Sequence, residues 1–144
     1  MHPELNKFMA RKIIGIGNIG KPSRPEEAWP ALFARIDQIP GRVNRSETLG
    51  VIKRDEYGYL AGVETALSSE VPEGMSSYII PAGEYAYLRH KGPLSQINET
   101  FEELIAWLRK NDYEQFDVVC FEVYDERFKG ENPESEIDMY IQIK

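Results

Sequence analysis

Two stretches of this 144-residue chain carry apolar side chains at intervals of three and four, and short runs rich in β-branched residues flank each stretch. Between Glu26 and Ile39 the set is Trp29, Leu32, Phe33, Ile36 and Ile39, which a 3.6-residue period gathers onto one helix face. Between Leu94 and Lys110 it is Leu94, Ile97, Phe101, Leu104, Ile105 and Leu108, on a segment that also carries Glu99, Glu102 and Glu103. A helix with one apolar stripe must bury it, and the neighbouring segments supply a sheet.

The punctuation around these helices sets the element order. Ile13, Ile14 and Ile16, with Gly15 and Gly17, predict a strand from about Arg11 to Ile16. Ser23 with Glu26 three residues later reads as a capping box, with Pro25 in the first turn, and Pro40-Gly41 ends the helix. Strands follow at Leu49 to Lys53 and Tyr57 to Thr65, joined by a hairpin around Arg54 to Glu56. Ser77 to Ile80 and Glu84 to His90 read as strand, turn, strand about Pro81, Ala82 and Gly83. After the second helix come Phe116 to Val123 and Ile137 to Ile143.

The order strand, helix, strand, strand therefore occurs twice, without a letter-by-letter repeat. It predicts an α+β fold in which one antiparallel sheet carries both helices on one face and a ligand groove on the opposite side. Residues 11–144 are expected to form one domain, preceded by an N-terminal extension over residues 1–10.

Several function classes are disfavoured. A net charge of -7 and a pI near 4.9 do not suit a surface that neutralises phosphates, so no direct nucleic-acid contact is expected. No apolar run approaches the roughly 20 residues that span a bilayer, and the N-terminal residues lack a secretion signal. The single cysteine, Cys120, fits a reducing, cytoplasmic setting. With His2 and His90 as the only histidines, no metal site is expected. Gly15 and Gly17 alone carry little weight, and the absence of P-loop and GxSxG motifs gives no reason to expect a cofactor.

The residue that stands out is Glu122. A two-residue period puts it on one strand face with Phe116, Val118, Cys120 and Tyr124, where it is the only charge. Such a carboxylate must reach solvent, accept from a neighbouring tyrosine, take a proton, or meet a cationic ligand, because an unpaired buried charge costs several kcal/mol. Tyrosines are dense on other strands: Tyr57 and Tyr59 share a face, as do Tyr85 and Tyr87, and Tyr124 and Tyr140 lie on the last two strands. Aromatic rings around a carboxylate attract organic cations. Candidate ligand contacts are Glu122, Tyr59, Tyr87, Tyr124, Tyr140 and, on the first helix, Trp29; Glu64, Glu136 and Asp138 are secondary carboxylates.

Three segments in the first half, Tyr59-Leu60-Ala61-Gly62-Val63-Glu64, Val71-Pro72-Glu73-Gly74-Met75 and Ile80-Pro81-Ala82-Gly83-Glu84-Tyr85, resemble the GyrI-like family, related to the effector-binding domains of AraC- and MerR-type regulators. Phe121-Glu122-Val123-Tyr124-Asp125-Glu126-Arg127-Phe128 and Ser135-Glu136-Ile137-Asp138-Met139-Tyr140-Ile141 look like its closing strand pair. The resemblance spans about Arg11 to Lys144 and implies a duplicated SHS2-like fold. It also implies that Glu122 matches a buried glutamate that contacts lipophilic cationic drugs in relatives. These residues leave no room for the helix-turn-helix of such regulators, so a stand-alone effector-binding domain is expected.

Binding of a small lipophilic cation is the leading functional expectation. The alternative is a hydrolase acting on electrophilic or strained small molecules, with Glu122 as general base and Tyr124 or Tyr87 as its partner. A third reading is an inhibitor module that binds a regulator or other protein partner.

Overall fold

Strands and helices follow one another as β1 (Glu4–Phe8), β2 (Arg11–Gly17), α1 (Pro25–Arg35), β3 (Thr48–Lys53), β4 (Leu60–Thr65), β5 (Ser76–Ile80), β6 (Gly83–Lys91), α2 (Ile97–Lys110), β7 (Val119–Tyr124) and β8 (Glu136–Gln142). The structure, a computed structural model, describes residues 3–115 and 117–144. His2, and Phe116 at the expected start of the penultimate strand, lie outside the described residues. Single 3-10 turns extend α1 at Ile36–Gln38 and precede α2 at Leu94–Gln96.

All the strands join one antiparallel sheet in the order β1-β6-β8-β7-β3-β4-β2-β5. Exchanging β1, β2, β3 and β4 for β5, β6, β7 and β8 reverses this order onto itself. The expected duplication is therefore real, with its seam at the ladder between β3 and β7. Each unit also gains a leading strand. Glu4–Phe8 forms β1 against β6, although residues 1–10 read from sequence as an extension. Charged Glu4 and Lys7 blunt the strand signal there, as they suit an exposed sheet edge.

Pro81 to Gly83 does not reverse the chain, contrary to the expected turn. Phe8 faces Gly83 and Arg11 faces Ile80, so the register of β1 on β6 continues without a slip into that of β2 on β5. Met9-Ala10 and Pro81-Ala82 are bends within one long two-stranded ribbon. Pro81 marks a place where the ladder is interrupted and no N–H is needed, so the same residue that suggests a turn also permits a bend. Because β1 and β5 stand at opposite ends of the strand order, the ribbon draws those ends together and curls the sheet.

Both helices pack on the same face. Ala61, Gly50, Glu122, Met139 and Leu88 are successive cross-strand partners from β4 to β6, so their side chains form one row. At one end of the row Ala28 and Leu32 of α1 pack on Ile14, Ala61 and Val63. At the other, Leu104, Ile105 and Leu108 of α2 pack on Ala86, Leu88, Cys120 and Ile141. Each of these fully buried Leu or Ile side chains contributes roughly 1.5–3 kcal/mol, which docks α2 more firmly than α1. The opposite, concave face closes over Ile13, Leu49, Val51, Leu60, Tyr85 and Phe121.

Two local expectations are corrected. Phe33 is 58% exposed rather than core, because Ala28, Leu32 and Ile39 take the buried stripe and Phe33 stacks on the outer side of Trp29. Ser23 is not the helix cap: Arg24 holds that position without a side-chain bond. Instead the Ser23 hydroxyl accepts from the backbone N–H of Tyr59 at 2.8 Å and of Asn18 at 3.2 Å. It fastens the entry of β4 to the loop before α1.

Candidate functional site

Glu122 sits at the seam, opposite Gly50 on β3 and Met139 on β8. Its side chain rises on the helix-bearing face between α1 and α2. Beside it lies a cavity of about 150 Å³, floored by Gly50, Cys120, Glu122, Met139 and Ile141. The first turn of α2 walls one side with Ile97, Asn98 and Phe101, and Tyr59 closes the other. The groove was expected on the opposite face; the small residues of the central row, Ala61 and Gly50, instead open it between the helices.

Tyr59 and Tyr124 meet Glu122 from the α1 side. The Tyr124 hydroxyl donates to Glu122 Oε1 at 2.9 Å, and the Trp29 indole N–H donates to the Tyr59 hydroxyl oxygen at 3.0 Å. The two phenol hydroxyls also interact with each other. Tyr124 spends its proton on Glu122 and the Tyr59 oxygen accepts from Trp29, so each phenol is held by a named bond at the site. The Trp29 ring packs edge-on to both Tyr59 and Tyr124, at 6.3 and 5.2 Å between centroids.

This environment is poor in compensating charge. Glu122 is half-buried, and the surrounding protein strips enough hydration from its carboxyl to raise its pKa above the ordinary value, with the Tyr124 bond pulling the other way. No Lys, Arg or His among the described residues contributes to that balance. Burial likewise raises the pKa of Tyr59 and Tyr124, with the Glu122 charge adding to the shift, and pushes the Cys120 thiol up to about 12. All three groups are neutral at ordinary pH.

Of the sequence candidates, Glu122, Tyr59, Tyr124 and Trp29 come together. Tyr87 and Tyr140 do not join them. They extend a cross-strand aromatic ladder on the concave face, Phe121 stacked on Tyr140 at 4.7 Å and Tyr140 against Tyr87 at 5.1 Å. Tyr140 borders the cavity from below, but its ring packs with Phe8 and Phe121. The Tyr87 hydroxyl donates to Asp138 at 2.9 Å. Tyr57, expected on the face of Tyr59, lies in the loop before β4 and is 78% exposed.

The concave face has its own depression, of about 440 Å³, lined by Phe8, Arg11, Glu47, Glu64, Asp125 and Asp138. Its charges are already matched within the protein: Arg11 binds Glu64 at 2.9 Å and Glu47 at 3.1 Å, and Arg127 holds Asp125 and Asp138. The secondary carboxylates Glu64, Glu136 and Asp138 thus have arginine partners, which Glu122 lacks. No group of residues suited to hold a metal ion occurs among the described residues. Nor is any of their helices long and apolar enough to cross a membrane.

Periodicity alone does not reveal Gly50, Ile97, Asn98 or Phe101 as site residues. Ile97 and Phe101 belong to an apolar stripe that reads as core. Gly50 carries a usable signal: a glycine inside a β-branched strand marks close approach by another group, here the Tyr59 hydroxyl.

Comparison with known proteins fits this geometry. The chain is 32% identical to the transcriptional regulator BrlR of Pseudomonas aeruginosa over 152 aligned positions, covering 99% of this chain and 56% of BrlR. It thus spans a little over half the length of that relative. Among solved structures, EcmrR in a complex with DNA superposes with a TM-score of 0.74 at 14% identity, over 99% of this chain and 57% of that one. SAV2435 bound to tetraphenylphosphonium superposes with a TM-score of 0.69 at 13% identity, over 100% and 94%. Both structures share the fold. The whole sequence, residues 1–144, matches the family described as the GyrI-like small molecule binding domain, and the chain belongs to that family.

Proposed function

We propose that this chain binds small lipophilic organic cations, with the positive centre against Glu122 and the apolar body between α2 and the Trp29–Tyr59–Tyr124 cluster. The observation that carries this reading is the carboxyl group itself. It faces an apolar cavity, accepts one phenol hydrogen bond, and has no basic partner among the described residues. A cation about 4 Å away gains on the order of 4 kcal/mol at an effective dielectric of 20, before the costs of desolvation. The aromatic cluster adds attraction without fixing one set of hydrogen bonds, which suits a range of ligand shapes. Tetraphenylphosphonium, the compound bound to SAV2435, is a natural first probe.

Quenching of tryptophan fluorescence by tetraphenylphosphonium, alongside neutral triphenylphosphine oxide, tests the proposal. The expected result is a preference for the cation that falls at least tenfold in Glu122→Gln. Equal binding of both compounds by both proteins refutes the electrostatic reading.

One observation favours a second reading. A carboxyl of raised pKa, hydrogen-bonded to Tyr124 beside an apolar cavity, is also equipped as a general base for hydrolysis of an electrophilic small molecule. Tyr124 is the partner within reach; Tyr87 is across the sheet. Mass spectrometry of an electrophile panel checks it, and product formation no faster than with Glu122→Gln excludes turnover of that panel.

Both α-helices of the described residues are committed to the sheet, so a role in transcription would depend on a separate DNA-binding partner or segment. The unpaired thiol of Cys120 agrees with a cytoplasmic setting.

A further inference from the structure

Among the described residues, no Lys, Arg or His acts as a partner of Glu122. Gly50 faces it from β3, Tyr59 from the entry of β4, Cys120 and Tyr124 from its own strand, and Met139 from β8. Trp29 of α1 stands behind the two phenols, and Ile97, Asn98 and Phe101 of α2 line the cavity beyond. The titratable groups among these are Tyr59, Tyr124 and Cys120, and each is held in its neutral form. With no ligand bound, a charged carboxylate there has one hydrogen-bond donor and no counter-ion, a state that costs several kcal/mol. A proton removes that cost.

The hydrogen-bond chain accommodates either state. A phenol hydroxyl both donates and accepts. Tyr124 donates to the carboxylate form, and by rotating its hydrogen towards Tyr59 it accepts from the carboxylic acid form. Tyr59, already accepting from Trp29, has a second lone pair for that purpose. Each state keeps a hydrogen bond between the carboxyl and Tyr124.

We infer that this site exchanges a proton for an organic monocation: the empty cavity holds the neutral Glu122 acid, and an arriving monocation displaces that proton to bulk solvent. The exchange rests on Glu122 being the cation site proposed above. No bond other than the carboxyl O–H is broken, and the local charge is the same before and after. A single carboxylate matches a single charge, so a dication carries one charge into the apolar cavity without a partner.

Calorimetric titration with tetraphenylphosphonium from pH 5 to pH 8, run at each pH in two buffers that titrate there and differ in ionisation enthalpy, counts the protons released. The expected release approaches one per cation at the acid end and falls to zero at the alkaline end. Affinity should rise about tenfold per pH unit where release is complete and level off where it ends. Difference infrared spectra should show a protonated-carboxyl stretch that disappears when the cation is added. Tyr124→Phe, which removes the donor favouring the carboxylate, should move the midpoint to higher pH. Zero release across the whole range, with Glu122→Gln still weakening cation binding, overturns the exchange and leaves the cation site standing. Wild-type affinity in Glu122→Gln overturns both.

Discussion

Replacing Gly50 with alanine tests how the site is assembled. Gly50 faces Glu122 across the seam, and the space a side chain would take is filled by the Tyr59 phenol. An added Cβ would collide with the Tyr59 hydroxyl, come within 2.8 Å of Tyr59 Cζ and stand 3.4 Å from Glu122 Oε1. Tyr59 is poorly placed to yield. Its hydroxyl is bonded to Trp29, and Ser23 clamps its backbone. Overpacking of this kind costs about 1–3 kcal/mol, and losing the Trp29–Tyr59 bond costs about 1 kcal/mol more. A destabilisation of about 2–4 kcal/mol corresponds to a drop in Tm of roughly 4–16 °C for a chain of this size. Urea denaturation followed by tryptophan fluorescence measures it. The decisive comparison is a double-mutant cycle with Tyr59→Ala, in which Gly50→Ala should cost under about 1 kcal/mol because the colliding ring is gone. Equal costs in the two backgrounds would refute the steric argument, and the strand's backbone rather than the Tyr59 contact would then explain the glycine.

Other outcomes follow from the same geometry. Folded Glu122 has a pKa above its unfolded value, so the unfolded chain releases the proton first as pH rises. Wild-type stability from this group therefore falls between the ordinary carboxylate range and the folded pKa, then levels. Glu122→Gln lacks that loss, and above the window should gain about 1.4 kcal/mol for each pH unit separating the two pKa values, read by denaturation at several pH values. Ser23→Ala strands the Tyr59 N–H and should destabilise by about 1–3 kcal/mol, with Trp29 fluorescence shifting as the phenol loosens. Arg11→Met leaves Glu47 and Glu64 without their shared guanidinium and removes a cation stacked over Phe8 and Phe121. Its loss should lower Tm, and tetraphenylphosphonium affinity should hold within twofold, because Arg11 lies on the face away from Glu122.

Much of the fold is legible from periodicity because both helices bury one stripe and because strand β8 alternates cleanly. The face of Glu122, and its company with Cys120 and Tyr124, follow from the two-residue period alone. Tyr87 and Tyr140 show where that reasoning stops. The period says which residues of one strand share a face, but only the register between strands says whether those faces coincide. Tyr140 pairs with Phe121 and not with Glu122, so it points away from the carboxyl. The bend at Pro81 is hidden for a related reason: proline and glycine announce an interruption of the ladder without specifying whether the chain turns back or goes on. Ser23 is a third case. Its spacing to Glu26 matches a cap, yet a tertiary contact with the Tyr59 backbone competes for the same hydroxyl and takes it.

The ribbon of β1–β2 with β5–β6 sets the order in which this architecture is completed during synthesis. When the first half has emerged, β1 has no partner and one edge of β2 is bare, because their partners β5 and β6 are encoded after β4. Closure of so distant a pairing is slow compared with local helix formation. The two halves are thus copies in topology without being autonomous. Neither, expressed alone, would contain both strands of the ribbon or both sides of the seam on which Glu122 and Gly50 meet.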